Sequence, residues 1–258
     1  MNVRPIKTHK IVPGECDIFS VLDEHIGNIE EGSILFVTSK VVSICEGRVV
    51  KKEPGLARKG LAIQEAERYL EPEEGKRGML MTIKNGMVCF NAGIDAFNSD
   101  GYFVLWPEDP WESSDAIRRY LSKKHGLNDF GVVITDTSAK PFRRGASGVA
   151  ISGSGFSFLN DHEGREDLFG RKIFLTKSNI IDPLAAAAVL VMGECDEQTP
   201  MAIMTDIPFV DFRKDAPTEE EKAELAIDIE DDYYGNLFGK AEWKKAVNSN
   251  RIYKWKKN

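Results

Sequence analysis

Residues 131–145 read GVVITDTSAKPFRRG, and the first half of that segment admits few structures. Val132-Val133-Ile134-Thr135 is a short, apolar, β-branched run, the pattern of a strand buried within a sheet. The segment turns polar at Asp136-Thr137-Ser138 and ends in Arg143-Arg144, closed by Gly145. In open α/β sheets, ligands sit outside the carboxyl ends of strands, where the chain leaves the core. An aspartate there can ligate a divalent cation, and paired arginines can hold an anion through forked hydrogen bonds. Asp-Thr-Ser is equally ordinary turn or N-cap chemistry, and paired arginines are usually solvated, so this segment alone leaves both readings open.

The chain has 258 residues, 42% hydrophobic and 29% charged, enough for one large or two small globular domains with a substantial core. A net charge of −7 argues against general nucleic-acid binding, which needs a basic face. The longest apolar run, 183–192, is too short to span a membrane, and MNVRPIKTHK lacks the apolar stretch of a signal peptide. Cys16, Cys45, Cys89 and Cys195 are scattered without CxxC spacing, which implies neither a zinc site nor a disulfide framework. A reducing cytoplasm is the expected compartment. His9, His25, His125 and His162 show no metal-ligand pairing and read as structural or surface residues.

Hydrophobic spacing predicts a strand over 3–12, a helix over 16–26, a strand over 33–44 and a charged amphipathic helix over 56–70. A polar linker at 71–78 precedes two short strands that flank Asn85-Gly86, a strong hairpin dipeptide. The hairpin runs into NAGIDAFN at 91–98, a small polar block that supplies Asp95. A short strand at 102–106 and a helix over 112–124 follow; Ser113 or Ser114 is a possible N-cap and Gly126 the stop. GVAISGSGF at 148–156 lacks the spacing of a phosphate loop. A strand at 173–177 leads to Asp182-Pro183, which opens a helix whose run LAAAAVLVM must be buried on most sides. The acids after that helix, Glu194, Asp196 and Glu197, oppose the helix dipole, so they are either a solvated cap or a cation site. A strand at 201–204, an acidic helix over 216–230 and a C-terminal helix complete the pattern.

Four separated blocks carry a more specific signal: NAGIDAFN (91–98), ITDTSAKPFRRG (134–145), GREDLFGRK (164–172) and DPLAAAAVLVMGE (182–194). With TSKVVSICEGR (38–48), they occur in the order found in the coenzyme F420-0:L-glutamate ligase family, which the chain resembles from about residue 33 to 205. The resemblance implies a mixed-sheet α+β ligase fold, an intertwined homodimer, and one domain over 1–258 with room for two subdomains and a divergent region from about 206. It implies nucleotide- and divalent-metal-dependent addition of L-glutamate, through a γ-linkage, to a carboxylate acceptor.

By the same resemblance, Asp95, Asp136, Thr137 and Glu194 stand where the family's ligands to Mg²⁺ or Mn²⁺ stand, for two ions. Ser39, Asn98, and Met192, Gly193, Cys195, Asp196, Glu197, Gln198 and Thr199 match nucleotide-contacting positions. His9, Lys10, Ile11 and Val12 match a further one more loosely. Arg143 and Arg144 are candidate catalytic residues, holding carboxylates or the transferring phosphoryl group. The chain departs from the family at Ile44, where a lysine is usual and Lys40 is the nearest basic residue, and at Thr205-Asp206, where Arg-Gly is usual. These departures leave open GTP or ATP as co-substrate, and F420-0 or a folate as acceptor. They also leave open a relative that binds nucleotide or deazaflavin without turnover.

Overall fold

The run at 132–135 lies in the interior of a five-stranded sheet. In the computed structural model, which describes residues 1–72 and 79–246, the chain begins β1 (Asn2–Ile6), α1 (Ile18–His25), β2 (Ser33–Thr38), α2 (Ser39–Cys45) and β3 (Val49–Lys51). There follow α3 (Arg58–Glu65), β4 (Arg68–Leu70), β5 (Met81–Lys84), β6 (Met87–Phe90), a 3-10 turn at Asn91–Gly93, and β7 (Tyr102–Val104). Next come α4 (Pro110–His125), β8 (Phe130–Ala139), β9 (Ala146–Ser154), β10 (Leu159–Asp161), β11 (Lys177–Asn179), α5 (Ile181–Met192) and β12 (Met201–Thr205). Short α6 (Glu219–Leu225), α7 (Gly235–Phe238) and β13 (Lys244–Lys245) end the described chain.

The main sheet has the order β1-β12-β2-β8-β9, and a second sheet the order β13-β4-β5-β6. The main sheet is mixed: β2 and β8 run parallel, while every other pairing in it is antiparallel. Both parallel strands are covered on both faces, which is why each reads as a continuous apolar run. Leu35, Val37, Val132 and Ile134 pack with Leu22, Ile117 and Leu121 on one side. Ile34, Phe36 and Val133 pack with Ala185 and Ala188 of α5 on the other. The small residues let α5 lie close: a Cβ at Gly148 would stand 2.7 Å from the Ala185 carbonyl oxygen.

Several boundaries differ from the sequence expectations. The 33–44 run divides after Thr38, where the strand ends and α2 begins. Val41 and Val42 favour a strand locally, but as part of a helix they fill the core. The 56–70 helix stops at Glu65, and Arg68–Leu70 pairs with β5 instead. The N-cap of α4 is Asp109, whose carboxylate accepts from the Trp111 and Glu112 amides, while Gly126 ends the helix in the left-handed region as expected. The 173–177 strand shifts to Lys177–Asn179, and the acidic helix shrinks to Glu219–Leu225. The hairpin at Asn85-Gly86 forms with both residues at positive φ, 51° and 71°. α5 is not buried all round, because Leu190 is 83% exposed. Most of the predicted linker, and the chain beyond Ala246, lie outside the described residues. Among the described residues no helix is long and apolar enough to cross a membrane.

Cysteine pairing is a further correction. Cys16 and Cys45, 29 residues apart, are joined by a disulfide with their Cα atoms 4.6 Å apart. Linear spacing does not reveal it, because the pair meets only when the chain around α1 folds against the end of α2. Buried Cys89 and exposed Cys195 are free.

Candidate functional site

The parallel register sets the site. Thr38 lies opposite Thr135, so the start of α2 sits beside β8 where β2 ends; β8 does not turn out at Asp136, as its polar residues suggested, but continues to Ala139 paired with β9. Asp136 follows there, half-buried at its surface but with a carboxyl group enclosed by protein. Its Oδ2 accepts from the Trp106 indole N–H at 2.5 Å, and its Oδ1 accepts from the Thr137 amide at 2.8 Å. Burial, opposed by the two hydrogen bonds and reinforced by the negative charges of Asp95 and Glu194, raises this carboxyl from 3.8 to about 6.

Asp95 is delivered by the loop after β6. Its Oδ1 accepts from the Phe97 amide at 2.8 Å, which fixes the carboxylate. Its Oδ2 lies 2.7 Å from Lys40 Nζ, at the first turn of α2. Glu194, just past α5, is also raised: burial is the main cause, the Lys40 ammonium opposes it, and Glu197 and Asp95 reinforce it. Three carboxylates from distant segments therefore share one electrostatic environment, with a single ammonium among them. The Lys40 ammonium pairs with Asp95 and lies close enough to Glu194 to oppose its shift. Oxygen donors of this kind suit a hard ion such as Mg²⁺ or Mn²⁺, but the ligand atoms of the three acids do not converge to within 4.8 Å of one another in the structure. Each oxygen of Asp136 keeps a second lone pair beyond its hydrogen bond.

The segment after α5 joins the same place. Asn98 Nδ2 donates to the Cys195 carbonyl at 2.7 Å, and the Cys195 amide donates to Glu197 Oε2 at 2.8 Å. Thr199 Oγ1 donates to the Met192 carbonyl. Gly193 is at φ +83° with the Glu197 side chain against it, so a larger residue would be strained and would clash. The Thr8 amide donates to the Gln198 carbonyl at 2.9 Å, which brings the chain at His9, Lys10, Ile11 and Val12 alongside. Asp196 is exposed; Ser39, at the start of α2, is buried. Arg143 and Arg144 lie in the exposed β8–β9 turn, and no ion pair links either to the carboxylates among the described residues. Ile44 is buried in the core, so no cation substitutes at that position; Lys40 lies one turn earlier on the same helix.

Trp106, Arg48 and Lys84 were not among the residues singled out in the sequence, yet they brace Asp136. Arg48 Nε donates to the Trp106 carbonyl at 3.1 Å, and Lys84 Nζ lies 5.4 Å from the centre of the indole. Both cations pair with Glu65, at 2.7 and 2.9 Å. A Cβ at Gly93 would overlap the indole, so glycine there leaves the ring its place. A hairpin lysine and a strand-end tryptophan carry no sequence pattern that marks such a role. Elsewhere, a charged cavity of about 390 Å³, lined in part by Arg165, Lys177, Arg213, Asp161, Asp211 and Glu224, contains none of the four predicted metal ligands.

The model of the F420-0:gamma-glutamyl ligase family matches residues 5–206. The chain belongs to that family. It is 38% identical over 221 residues to the coenzyme F420:L-glutamate ligase of Methanopyrus kandleri, covering 79% of this chain and 86% of that protein. Identity to the coenzyme F420:L-glutamate ligase of Methanothermobacter thermautotrophicus is 35% over 214 residues, covering 77% and 84%. For the Archaeoglobus fulgidus protein of the same name it is 34% over 218 residues, covering 79% and 87%. As a member of the gamma-glutamyl ligase family the chain is an enzyme that forms C–N bonds. The family match ends at Asp206, so α6, α7 and β13 lie outside it.

Proposed function

We propose that this chain adds L-glutamate through a γ-linkage to the terminal carboxylate of coenzyme F420-0, using a nucleoside triphosphate, GTP first, and Mg²⁺ or Mn²⁺. The observation that carries the reading is the sharing of one environment by Asp95, Asp136 and Glu194, three acids on segments remote in sequence. Such a cluster is unfavourable for a bare protein and suits bound cations. Asp95, Asp136, Thr137 and Glu194 would hold one or two divalent ions, which supply charge neutralisation for nucleotide phosphates.

Amide formation needs an activated acceptor carboxylate. Phosphoryl transfer from the nucleotide gives an acyl phosphate, and the glutamate amine then displaces phosphate. Asn98 and the segment from Met192 to Thr199 form a wall beside the acids, a position suited to the nucleotide. Lys40 can turn from Asp95 to an anionic phosphate oxygen. Arg143 and Arg144, exposed and unpaired with the acids, are available to carboxylates of glutamate or acceptor. Leu168, Phe169, Phe174, Leu175 and Leu190 are exposed apolar residues, and covering them would favour association with a second copy of the chain.

The test is incubation of the purified chain with F420-0, glutamate, Mn²⁺ or Mg²⁺, and GTP or ATP, followed by mass spectrometry. A product heavier by one glutamyl residue, with release of nucleoside diphosphate, is the expected result. Glutamylation of a folate but not of F420-0 reassigns the acceptor. Tight nucleotide binding without product in any combination rejects the ligase reading in favour of a binding protein.

A further inference from the structure

The histidines at 9 and 25 show no ligand spacing in sequence, but the fold brings them together with Glu24. His9 Nδ1 lies 2.9 Å from His25 Nε2. Glu24 Oε1 lies 3.5 Å from the first and 3.6 Å from the second. Three potential ligand atoms therefore form a compact triangle, its short side between the two imidazoles, drawn from α1 and from the chain that follows β1.

Hydrogen bonding accounts for the His9–His25 side of this triangle but not for the place of the carboxylate. Two neutral imidazoles satisfy one N–H···N contact between them, and the carboxylate oxygen stands beyond ordinary hydrogen-bond range of both rings. Metal coordination accounts for it better. Bonds of about 2.0–2.2 Å in tetrahedral geometry separate ligand atoms by about 3.3–3.5 Å, which the two sides to Glu24 nearly match and which the His–His side reaches by opening a few tenths of an ångström. His25 is the last residue of α1, where the helix dipole favours positive charge. Its side chain is largely covered, while those of His9 and Glu24 are open, which gives one anchored ligand and a path for entry.

We propose that His9, Glu24 and His25 bind a borderline divalent transition metal of the zinc class, with the fourth position left to water. Two imidazoles and one carboxylate select that class over Mg²⁺ or Ca²⁺. The site is separate in residues from the acidic group at Asp95, Asp136 and Glu194. It ties α1 to the stretch at 7–12, one residue from the Thr8 amide that bonds to Gln198. The inference does not depend on the ligase reading.

The experiment titrates the full chain with Zn²⁺ alone against a chromophoric chelator, and follows Co²⁺ by its electronic spectrum. The wild-type chain should take up a tight equivalent with a nitrogen- and oxygen-ligated cobalt spectrum. Affinity for that equivalent should fall by more than about tenfold in H9N, E24Q and H25A, since even lost outer-shell partners cost that much. It should persist in D95N and C195S. His9 and Glu24 are exposed, so H9N and E24Q decide the question if H25A fails to fold. Absence of a tight equivalent in the wild-type chain, unchanged binding in H9N and E24Q, or loss of the equivalent in D95N or C195S would overturn the proposal.

Discussion

Asp136→Asn should make the metal-free protein more stable at neutral and alkaline pH while removing its activity. The Asp136 carboxyl titrates at about 6 in the folded protein against an ordinary 3.8. The folded state therefore holds this proton more tightly than the unfolded chain. Below about pH 4 both states carry it, and the group contributes nothing. As pH climbs from 4 to 6 the unfolded chain releases its proton first, and folding loses free energy, reaching a plateau of about 3 kcal/mol above 6. Asparagine removes that loss but keeps one acceptor oxygen where the carboxylate had two. Either the Trp106 indole or the Thr137 amide then faces an amino group, at a cost of about 1 kcal/mol. The net gain is about 2 kcal/mol, or about 4–8 °C in melting temperature for a chain of this size. Calorimetric melts in chelator, from pH 4 to pH 8, read it directly. The variant should melt above the wild type near pH 8 and level with it or below it near pH 4. A variant less stable near pH 8, or a gap independent of pH, would refute the strain assigned to Asp136.

Trp106→Phe removes the indole donor from Asp136 and should move the acid limb of the ligation pH profile up by about one pH unit, the equivalent of a charged hydrogen bond; an unmoved limb would show that the contact is not felt. In the proposed dimer, Leu190→Arg places a charge on the exposed face of α5 and should move the sedimenting species towards monomer, whereas an unchanged species would exclude that face from an interface. Cys45→Ser opens the disulfide loop of 29 residues and should cost about 3.5 kcal/mol; equal melting temperatures of wild type and variant without reductant would argue against the bond.

The sequence was most informative where one local pattern had one structural solution. The runs at 34–37 and 132–134 are apolar on both faces, as strands covered on both sides must be. Asn85-Gly86 specified its own hairpin. Asp136 was legible as the acid just past an apolar strand run, although β8 continues through it to Ala139, and Asp95 and Glu194 as acids in polar blocks after regular elements. Their convergence was not legible, because it depends on β2 and β8 lying side by side although 97 residues separate Ser33 from Phe130. The helix over Ser39–Cys45 was hidden by Val41 and Val42, whose intrinsic preference is overruled by burial. The brace of Trp106 by Arg48, Lys84 and Glu65 was invisible for the same reason as the His9–Glu24–His25 triangle. Each partner looks ordinary until folding supplies its neighbours.

The order of strands also bears on how the molecule is made. β12 sits between β1 and β2, yet about two hundred residues separate its start from that of β1. While the chain emerges from the ribosome, the first strand has no partner and the second carries an open edge until residue 205 is synthesised. Nascent chains halted before that point would expose the apolar edge of β2, and chaperone capture of truncated products should drop sharply once β12 is present.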